Sequence, residues 1–383
     1  MSADEYADLM AKAMDAYRGG DMWTAGLLSE RAYQLAAEFG DKQAAFDALR
    51  GAADAWSYSA DPDRGIRLLL EARQQLEYLH DAEGRYWLHT VFLMHAIDEE
   101  LPVGDLDREM EVMAELAVGA WGAEGSRTRY FRSALFANRG NWADALDAAE
   151  RCWAGREGPG PRTYSSHAAS AACYFCLQLG RREEAGRWAE LVESTREEPV
   201  TPWQLAKCRC NLAQFGNDGP AARSASRQLD ALSNPEMPGD ALVATEESVY
   251  SLLLSADEGD PADPAHLIRL RLAHQPLPEQ LPFWFRYDWH RALACLELAG
   301  VRHAAGLPPV DDRFHAAPGP LPDPAAARLP AEVLPRLAAF DRACDAALPH
   351  AVASDTRFSC TWRRRDLAAL RRRGEAMAAV FRA

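Results

Sequence analysis

The chain has 383 residues, a formal net charge of −15 and 48% hydrophobic residues. This hydrophobic fraction supplies a substantial core and excludes wholesale disorder. The acidic balance argues against nucleic-acid binding by the main body, because phosphates need a basic surface. We find no run of about 18 uncharged apolar residues and no apolar signal segment in the acidic N-terminal sequence. We therefore expect a cytoplasmic protein with no membrane association, whose eight cysteines stay reduced.

A glycine followed five residues later by an alanine recurs along the chain. The strong copies are Gly20/Ala25, Gly140/Ala145, Gly180/Ala185 and Gly216/Ala221. Weaker copies fall at Ala60/Gly65 and Asp260/Ala265. Most of these intervals are close to multiples of 40 residues, and a fixed period of this length is typical of repeat architectures.

Each copy predicts a helical hairpin. A helix with apolar periodicity ends at the glycine, which accepts the left-handed backbone of a helix terminus without a Cβ clash. The Asp or Asn that often follows can cap the next helix, and the alanine lets the two helices approach closely. Apolar residues then recur at helical spacing, as in Leu28, Ala32 and Leu35.

The segment Gly140-Asn141-Trp142-x-x-Ala145-Leu146 resembles the turn between the two helices of a tetratricopeptide repeat (TPR). The resemblance covers roughly residues 1–275. It implies a right-handed α-solenoid of about seven helix pairs over residues 1–276. A period nearer 40 than the family's 34 residues indicates longer helices or looser turns. The predicted pairs are 3–40, 41–80, 81–120, 123–157, 161–197, 200–234 and 238–276.

The C-terminal part departs from the repeat. We predict a helical extension over residues 277–348, with helices at 283–305 and 331–347 and a Pro-rich loop at 306–330. A basic capping helix follows in 349–383, its helical part at 355–381. Residues 357–383 contain eight Arg against two acidic residues, while the remainder is strongly acidic. This helix could cap the array, occupy its groove, or bind a partner.

Three patterns leave room for chemistry. Cys173/Cys176 and Cys208/Cys210 are closely spaced pairs of the kind that bind zinc as thiolates. Both pairs fall inside predicted helices, where cysteines serve as small apolar residues. Glu77 and His80 form a single copy of a spacing that di-iron sites need twice. The pairs Asp98-Glu99 and Asn217-Asp218 are weakly similar to the magnesium motifs of terpene cyclases, but the second pair is also explained as a repeat turn. We predict no catalytic residue, no metal and no cofactor.

A solenoid of helix pairs has a working face lined by the first helix of each pair. Counting back from each glycine, the resemblance implies these groove residues: Arg127, Tyr130, Asn138, His167, Tyr174, Gln178, Trp203 and Gln214. The amides of Asn138, Gln178 and Gln214 are expected at one repeat position, where they could pair with a peptide backbone. Plain solvated polar residues are the alternative.

The repeat favours a non-catalytic scaffold or adaptor that binds a protein or peptide. A regulatory sensor for a signalling peptide or small ligand is the second hypothesis, since the array is similar to repeat regions of bacterial transcription regulators. An all-helical enzyme of terpene-cyclase type is the third. It is disfavoured because Pro102 follows Asp98-Glu99-Glu100 closely, and because Ala221 and Ala225 stand where the second motif needs a hydroxyl and an acid.

Overall fold

The computed structural model describes residues 3–57, 61–75, 82–98, 105–163, 165–196, 198–233, 238–253, 283–305, 307 and 333–382. Within these ranges the chain forms sixteen α-helices and no strand, so the predicted all-α class is confirmed. None of the described helices is both long enough and apolar enough to span a bilayer.

The chain divides into two compact units. Unit 1 comprises Met1–Phe131, Glu157–Arg162 and Asn234–Ala241, and unit 2 comprises Arg132–Arg156, Thr163–Ser233 and Leu242–Ala383. The predicted boundary at residue 276 lies outside the described residues, and unit 2 contains described helices from both sides of it.

Unit 1, which also includes residues 238–241 at the start of a later helix, contains six helices and the start of a seventh. They are α1 (Ala3–Arg18), α2 (Met22–Phe39), α3 (Lys42–Ser57), α4 (Pro62–Gln74), α5 (Ala82–Asp98), α6 (Leu106–Trp121) and α7 (Gly125–Asn138). Each helix from α1 to α6 packs on the next one in sequence, and α3 also packs on α5. The approach of α2 to α3 is close, because a Cβ on Gly26 would lie 2.6 Å from the buried ring of Trp56.

Unit 2 takes the end of α7 and most of the later helices. They are α8 (Trp142–Ala154), α9 (Ser165–Gln178), α10 (Arg182–Ser194), α11 (Thr201–Phe215), α12 (Gly219–Leu232), α13 (Pro238–Leu253), α14 (Phe283–Ala304), α15 (Val333–Arg357) and α16 (Trp362–Arg382). Neighbours from α8 to α12 pack in sequence, and α9 also packs on α11. The helices α14, α15 and α16 pack on one another.

The predicted hairpin turns are present in both units. Gly20, Gly140 and Gly180 have φ values of 85°, 71° and 73°. Each donates its N–H to the carbonyl three residues back, and the next residue bonds to the carbonyl five residues before itself. The alanine five residues after each glycine is at most 1% exposed. The same turn also joins α2 to α3 at Gly40, a copy that the sequence analysis did not include.

The turn of the sixth predicted pair, at Gly216, corrects the predicted register. Gly216 has an ordinary helical backbone with φ −81°, and the left-handed residue is Asn217 with φ 52°. Asn tolerates this region better than most residues. The buried alanine is accordingly Ala222 at 0% exposure, whereas Ala221 is exposed. The repeat position of Gly140 and Gly180 is therefore held by Asn217, one residue later than predicted.

Capping follows the prediction in part. The side chains of Asp21, Asp61 and Asp218 each accept a backbone N–H in the first turn of the following helix, at 2.9, 3.2 and 3.0 Å. Asn141 stands at the same position before α8 and makes no such bond. Asp218 therefore serves as a helix cap in a repeat turn, which removes it from the terpene-cyclase motif.

The C-terminal helices begin and end elsewhere than predicted. The helix predicted at 283–305 is confirmed as α14. The next helix does not stop at 347 but continues through Pro349 to Arg357, so the last helix begins at Trp362 instead of 355. Its apolar residues Leu367, Leu370 and Met377 are buried in a core shared with α14 and α15. Residues 306 and 308–330 of the predicted Pro-rich loop lie outside the described residues.

Candidate functional site

The predicted groove residues divide between the two units. Arg127 and Tyr130 lie on the part of α7 in unit 1, and Asn138, His167, Tyr174, Gln178, Trp203 and Gln214 lie in unit 2. Each group is described within its own unit.

The register shift at Asn217 displaces the predictions for the sixth pair. Counting from Asn217, the positions of Asn138 and Gln178 correspond to Phe215, not Gln214. The backbone agrees, because the carbonyl of Gln214 accepts from Asn217 just as those of Ala137 and Leu177 accept from Gly140 and Gly180. Gln214 therefore does not share a repeat position with the other two amides, and the predicted row of three amides is wrong at this residue.

Gln214 belongs instead to a buried polar network around Glu247. Both residues are 0% exposed. The Nε2 of Gln214 donates to Glu247 Oε2 at 2.9 Å, and Asn211 Nδ2 donates to Oε1 at 3.2 Å. Ser251 donates to the Glu247 carbonyl at 2.7 Å. Trp203, the other prediction from this pair, packs beside a small core of Ala206, Leu229 and Ala244.

Asn138 and Gln178 are equivalent by position but differ in their partners. The Oδ1 of Asn138 accepts from Arg363 Nη2 at 3.0 Å, and its Nδ2 donates to the Ala134 carbonyl at 3.0 Å. Gln178 Nε2 donates to the Tyr174 hydroxyl at 2.8 Å, while its Oε1 is buried with no hydrogen-bond partner. His167 lies half-buried near the start of α9.

In unit 1 the side chain of Arg127 lies in an aromatic and charged cluster, here named the Arg127 cluster: Tyr17, Arg50, Asp54, Trp87 and Arg127. The Arg127 guanidinium lies over the Trp87 ring at 5.1 Å from its centroid. Tyr17 hydrogen-bonds to the Asp54 carboxylate. The Nε atoms of Arg50 and Arg127 are both buried without a hydrogen-bond partner. The first helices of four successive pairs, α1, α3, α5 and α7, each contribute to this cluster.

The electrostatics of the cluster set one carboxylate against two cations. Burial raises the pKa of Asp54, and Arg127, the Tyr17 hydrogen bond and Arg50 act in the opposite direction. Behind the cluster, the Tyr86 hydroxyl hydrogen-bonds to Thr128 at 3.1 Å and anchors α7 on α5. Burial also raises the pKa of Tyr86. The sequence analysis identified Arg127 but missed its neighbours, because no spacing rule connects α1, α3 and α5 to it.

Arg291 and Asp366 form a buried ion pair in unit 2. Arg291 Nε donates to Asp366 Oδ2 at 2.6 Å, and Nη2 donates to Oδ1 at 3.3 Å. The remaining Nη1 donates to the Tyr250 hydroxyl at 2.8 Å, and the Tyr287 hydroxyl donates to Asp366. Burial opposes the charge on Arg291, but Asp366, together with Tyr250, Cys295 and Tyr287, holds the arginine pKa well above its usual value. Burial and then Asp366 raise the pKa of Tyr287.

The four cysteines of the two sequence pairs, Cys173/Cys176 and Cys208/Cys210, are buried and form no disulfide. A hydrogen bond with Cys208, followed by burial, raises the pKa of the Cys173 thiol, and burial raises that of Cys176 to about 12. The same hydrogen bond lowers the pKa of Cys208. The raised pKa values of Cys173 and Cys176 favour the protonated thiol, which is not a nucleophile. No group of three or more His, Cys, Asp or Glu side chains within the described ranges could hold a metal ion. Glu77 and His80 lie outside those ranges.

Comparison with protein-family models and with curated proteins finds no match to this chain.

Proposed function

We propose that this chain is a non-catalytic scaffold or adaptor, built as a right-handed TPR-like solenoid, that binds a protein or peptide along the first helices of its pairs. The repeated turn supports this arrangement, since the same hydrogen bonds and buried alanine recur at Gly20, Gly140, Gly180 and Asn217. Contacts between neighbouring helices, and between α3 and α5 or α9 and α11, are those that stacked pairs require.

The Arg127 cluster is the observation that carries the proposal. Arg50 and Arg127 each hold a buried Nε with no partner in the described structure, and a native fold seldom leaves buried donors unused. Both residues are only partly buried, so a bound segment that supplies acceptors can approach their guanidinium groups. Two guanidinium groups against the single Asp54 carboxylate favour a segment that carries an acidic side chain, and Trp87 offers an apolar contact beside them.

The chemistry available elsewhere supports binding in preference to turnover. Burial raises the pKa of the Cys176 thiol, Asp366 is paired with Arg291, and Asp218 caps a helix. We place the protein in the cytoplasm, where its eight free cysteines would stay reduced.

The test is selection of a displayed peptide library on the full chain, followed by fluorescence anisotropy with the selected peptides. Arg127→Met and Trp87→Ala should each weaken binding at least about tenfold, the loss expected for a central interface residue. Arg67→Met, on the exposed face of α4, is the matched control and should leave affinity unchanged. Equal affinity for all four proteins would remove the Arg127 cluster as the binding face.

A thermal-shift screen with metabolites and peptides distinguishes the sensor hypothesis from the scaffold hypothesis. Binding to the folded state raises the melting temperature by mass action. Stabilisation by a metabolite that Arg127→Met abolishes, with no peptide selected, would favour the sensor over the scaffold.

A further inference from the structure

The first turn of α16 is seated on the turn between α7 and α8, more than 200 residues away in sequence. A Cβ on Gly140 would lie 2.4 Å from the Trp362 ring. The rings of Trp362 and Trp142 meet edge to face, with centroids 5.3 Å apart and planes at 85°. The Trp142 ring also meets that of Tyr174 at 6.1 Å. Glycine at 140 thus serves twice, for its positive φ and for the space that Trp362 fills.

Arg363 completes this contact. Its Nη1 donates to the Asn138 carbonyl at 2.9 Å and its Nη2 to Asn138 Oδ1 at 3.0 Å. The guanidinium lies within 6 Å of the ring centroids of Trp362, Phe358 and Tyr287. A neighbouring bond runs the other way, from Arg139 Nε to the Phe358 carbonyl at 3.0 Å.

The Arg363 side chain is buried without a counterion. The residue is 4% exposed, and its Nε has no hydrogen-bond partner. Within the described residues its guanidinium is held by neutral oxygens and ring faces, with no carboxylate in ion-pair contact. Arg291, in the same unit, has Asp366 for this purpose. A buried cation without an anion is held less firmly, because its desolvation is not offset.

The turn that presents Trp362 and Arg363 is also held by hydrogen bonds from within the C-terminal helices. Asp355 near the end of α15 accepts the backbone N–H groups of Arg363 at 3.0 Å and Arg364 at 3.2 Å. Ser359 takes the left-handed conformation with φ 53°. The rest of α16 is anchored by buried residues such as Leu367 and Leu370. Displacement of the first turn would break the bonds of Arg363 to Asn138 and of Arg139 to Phe358, whereas the buried residues Leu367 and Leu370 of α16 would keep their contacts.

We propose that the surface formed by Asn138, Gly140, Trp142 and Tyr174 recognises an aromatic–arginine pair at the start of a basic helix, and that Trp362 and Arg363 are its resident occupant. A partner protein that presents such a pair replaces the chain's own first turn. This surface lies in unit 2, so the inference does not depend on the Arg127 cluster. A tethered occupant acts at millimolar effective concentration, which keeps the surface closed to weak competitors.

The experiment uses an acetylated, fluorescein-labelled peptide of residues 355–373 and the full chain. The double variant Trp362→Ala/Arg363→Ala empties the surface and leaves its walls intact. It should bind the peptide at least about tenfold more tightly than the wild type, because the tethered competitor is gone. Arg365→Ala, on an exposed residue of the same turn, is the control and should behave as the wild type.

A second peptide excludes non-specific attraction of a basic segment to an acidic protein. It carries Trp362→Ala and Arg363→Lys, so its charge is unchanged. Binding of both peptides with equal affinity, equal binding to the wild type and the double variant, or no binding at all would each overturn the proposal.

Hydrogen exchange gives an independent measurement. The amides of Gly140 and Asn141 close the α7 turn beneath Trp362, and they should exchange at least about fivefold faster in the double variant, because local opening becomes easier. Should that variant not fold, Trp362→Phe/Arg363→Lys is used for the same two measurements, with smaller changes of the same sign expected. A folded variant with unchanged exchange and unchanged peptide affinity contradicts the proposal.

Discussion

Arg127 in unit 1 and Arg291 in unit 2 both have buried guanidinium nitrogen atoms, but only Arg291 has a carboxylate bound to its guanidinium. Asp366 and the Tyr250 hydroxyl accept from Arg291, and the Tyr287 hydroxyl donates to Asp366. Arg127 rests on a tryptophan ring with its Nε unbonded, and Arg50 beside it has the same deficit. The Arg291 network is therefore completed within unit 2, whereas the buried Nε atoms of Arg50 and Arg127 in unit 1 have no hydrogen-bond partner in the described structure.

Breaking the Arg291–Asp366 pair should give the largest effect. Asp366→Asn leaves the buried guanidinium without an anion, and we expect a loss of about 3–5 kcal/mol in the free energy of unfolding. Urea denaturation followed by circular dichroism measures it. The matched control is Asp345→Asn at the exposed Arg371–Asp345 pair, where less than about 1 kcal/mol is expected. Similar losses at the two sites would show that unit 2 does not depend on the buried pair.

Unit 1 should be the unit that responds to acid, through His95. Burial lowers the pKa of this histidine to about 4, and its Nε2 hydrogen-bonds to Ser57. The unfolded chain takes up this proton near pH 6.5. The stabilisation is therefore complete above pH 6.5 and is lost as the pH falls towards 4, by an amount on the order of 3 kcal/mol.

Denaturation curves at pH 7.0 and 4.5 test this dependence. His95→Gln should reduce the difference in the free energy of unfolding between the two pH values, because the variant lacks the titrating histidine. An identical pH difference in wild type and variant would rule out His95 as its source.

Alanine at two equivalent glycines separates the cost of the turn from that of the α16 contact. Gly140 and Gly180 share a left-handed backbone, but a Cβ on Gly180 meets nothing within 4 Å. Each substitution should cost about 1–2 kcal/mol from the backbone. Gly140→Ala should cost about 1–3 kcal/mol more, because Trp362 must shift. Thermal unfolding of both variants measures the difference, and equal losses would mean that the Trp362 contact is loose.

The smallest effect is expected at Arg127. Arg127→Met keeps apolar contact with Trp87 and removes an unsatisfied donor, so stability should change by less than about 1 kcal/mol. This contrasts with the large loss predicted at Asp366. A loss of 3 kcal/mol or more in thermal unfolding would show that Arg127 is structural, and the comparison between the two units would fail.

The helix turns were predictable because they depend on local chemistry. A glycine, an Asp cap and a buried alanine at fixed spacing are visible in the sequence, as at Gly20, Asp21 and Ala25. The turn of the sixth pair was predicted one residue too early because Asn217 stands beside Gly216, and both residues can end a helix. One residue of error was enough to move Gln214 from the core to a predicted surface.

Contacts between distant helices could not be predicted. No spacing connects Trp362 to Gly140 or Asp366 to Arg291, because side chains from separate helices meet only once the chain has packed. The end of α15 was missed for a similar reason. Pro349 usually marks a helix boundary, but Ala347 and Ala351 on either side of it are buried in the tertiary core and the helix continues.

The displaced turn at Asn217 shows how this architecture tolerates variation in length. α11 has 15 residues where α7 and α9 have 14, yet Ala222 is buried in the next helix just as Ala145 and Ala185 are in theirs. The left-handed residue restarts the helical phase, so an insertion in one helix is absorbed before the next begins. Such a chain can gain or lose single residues inside its helices over time without scrambling the repeats that follow.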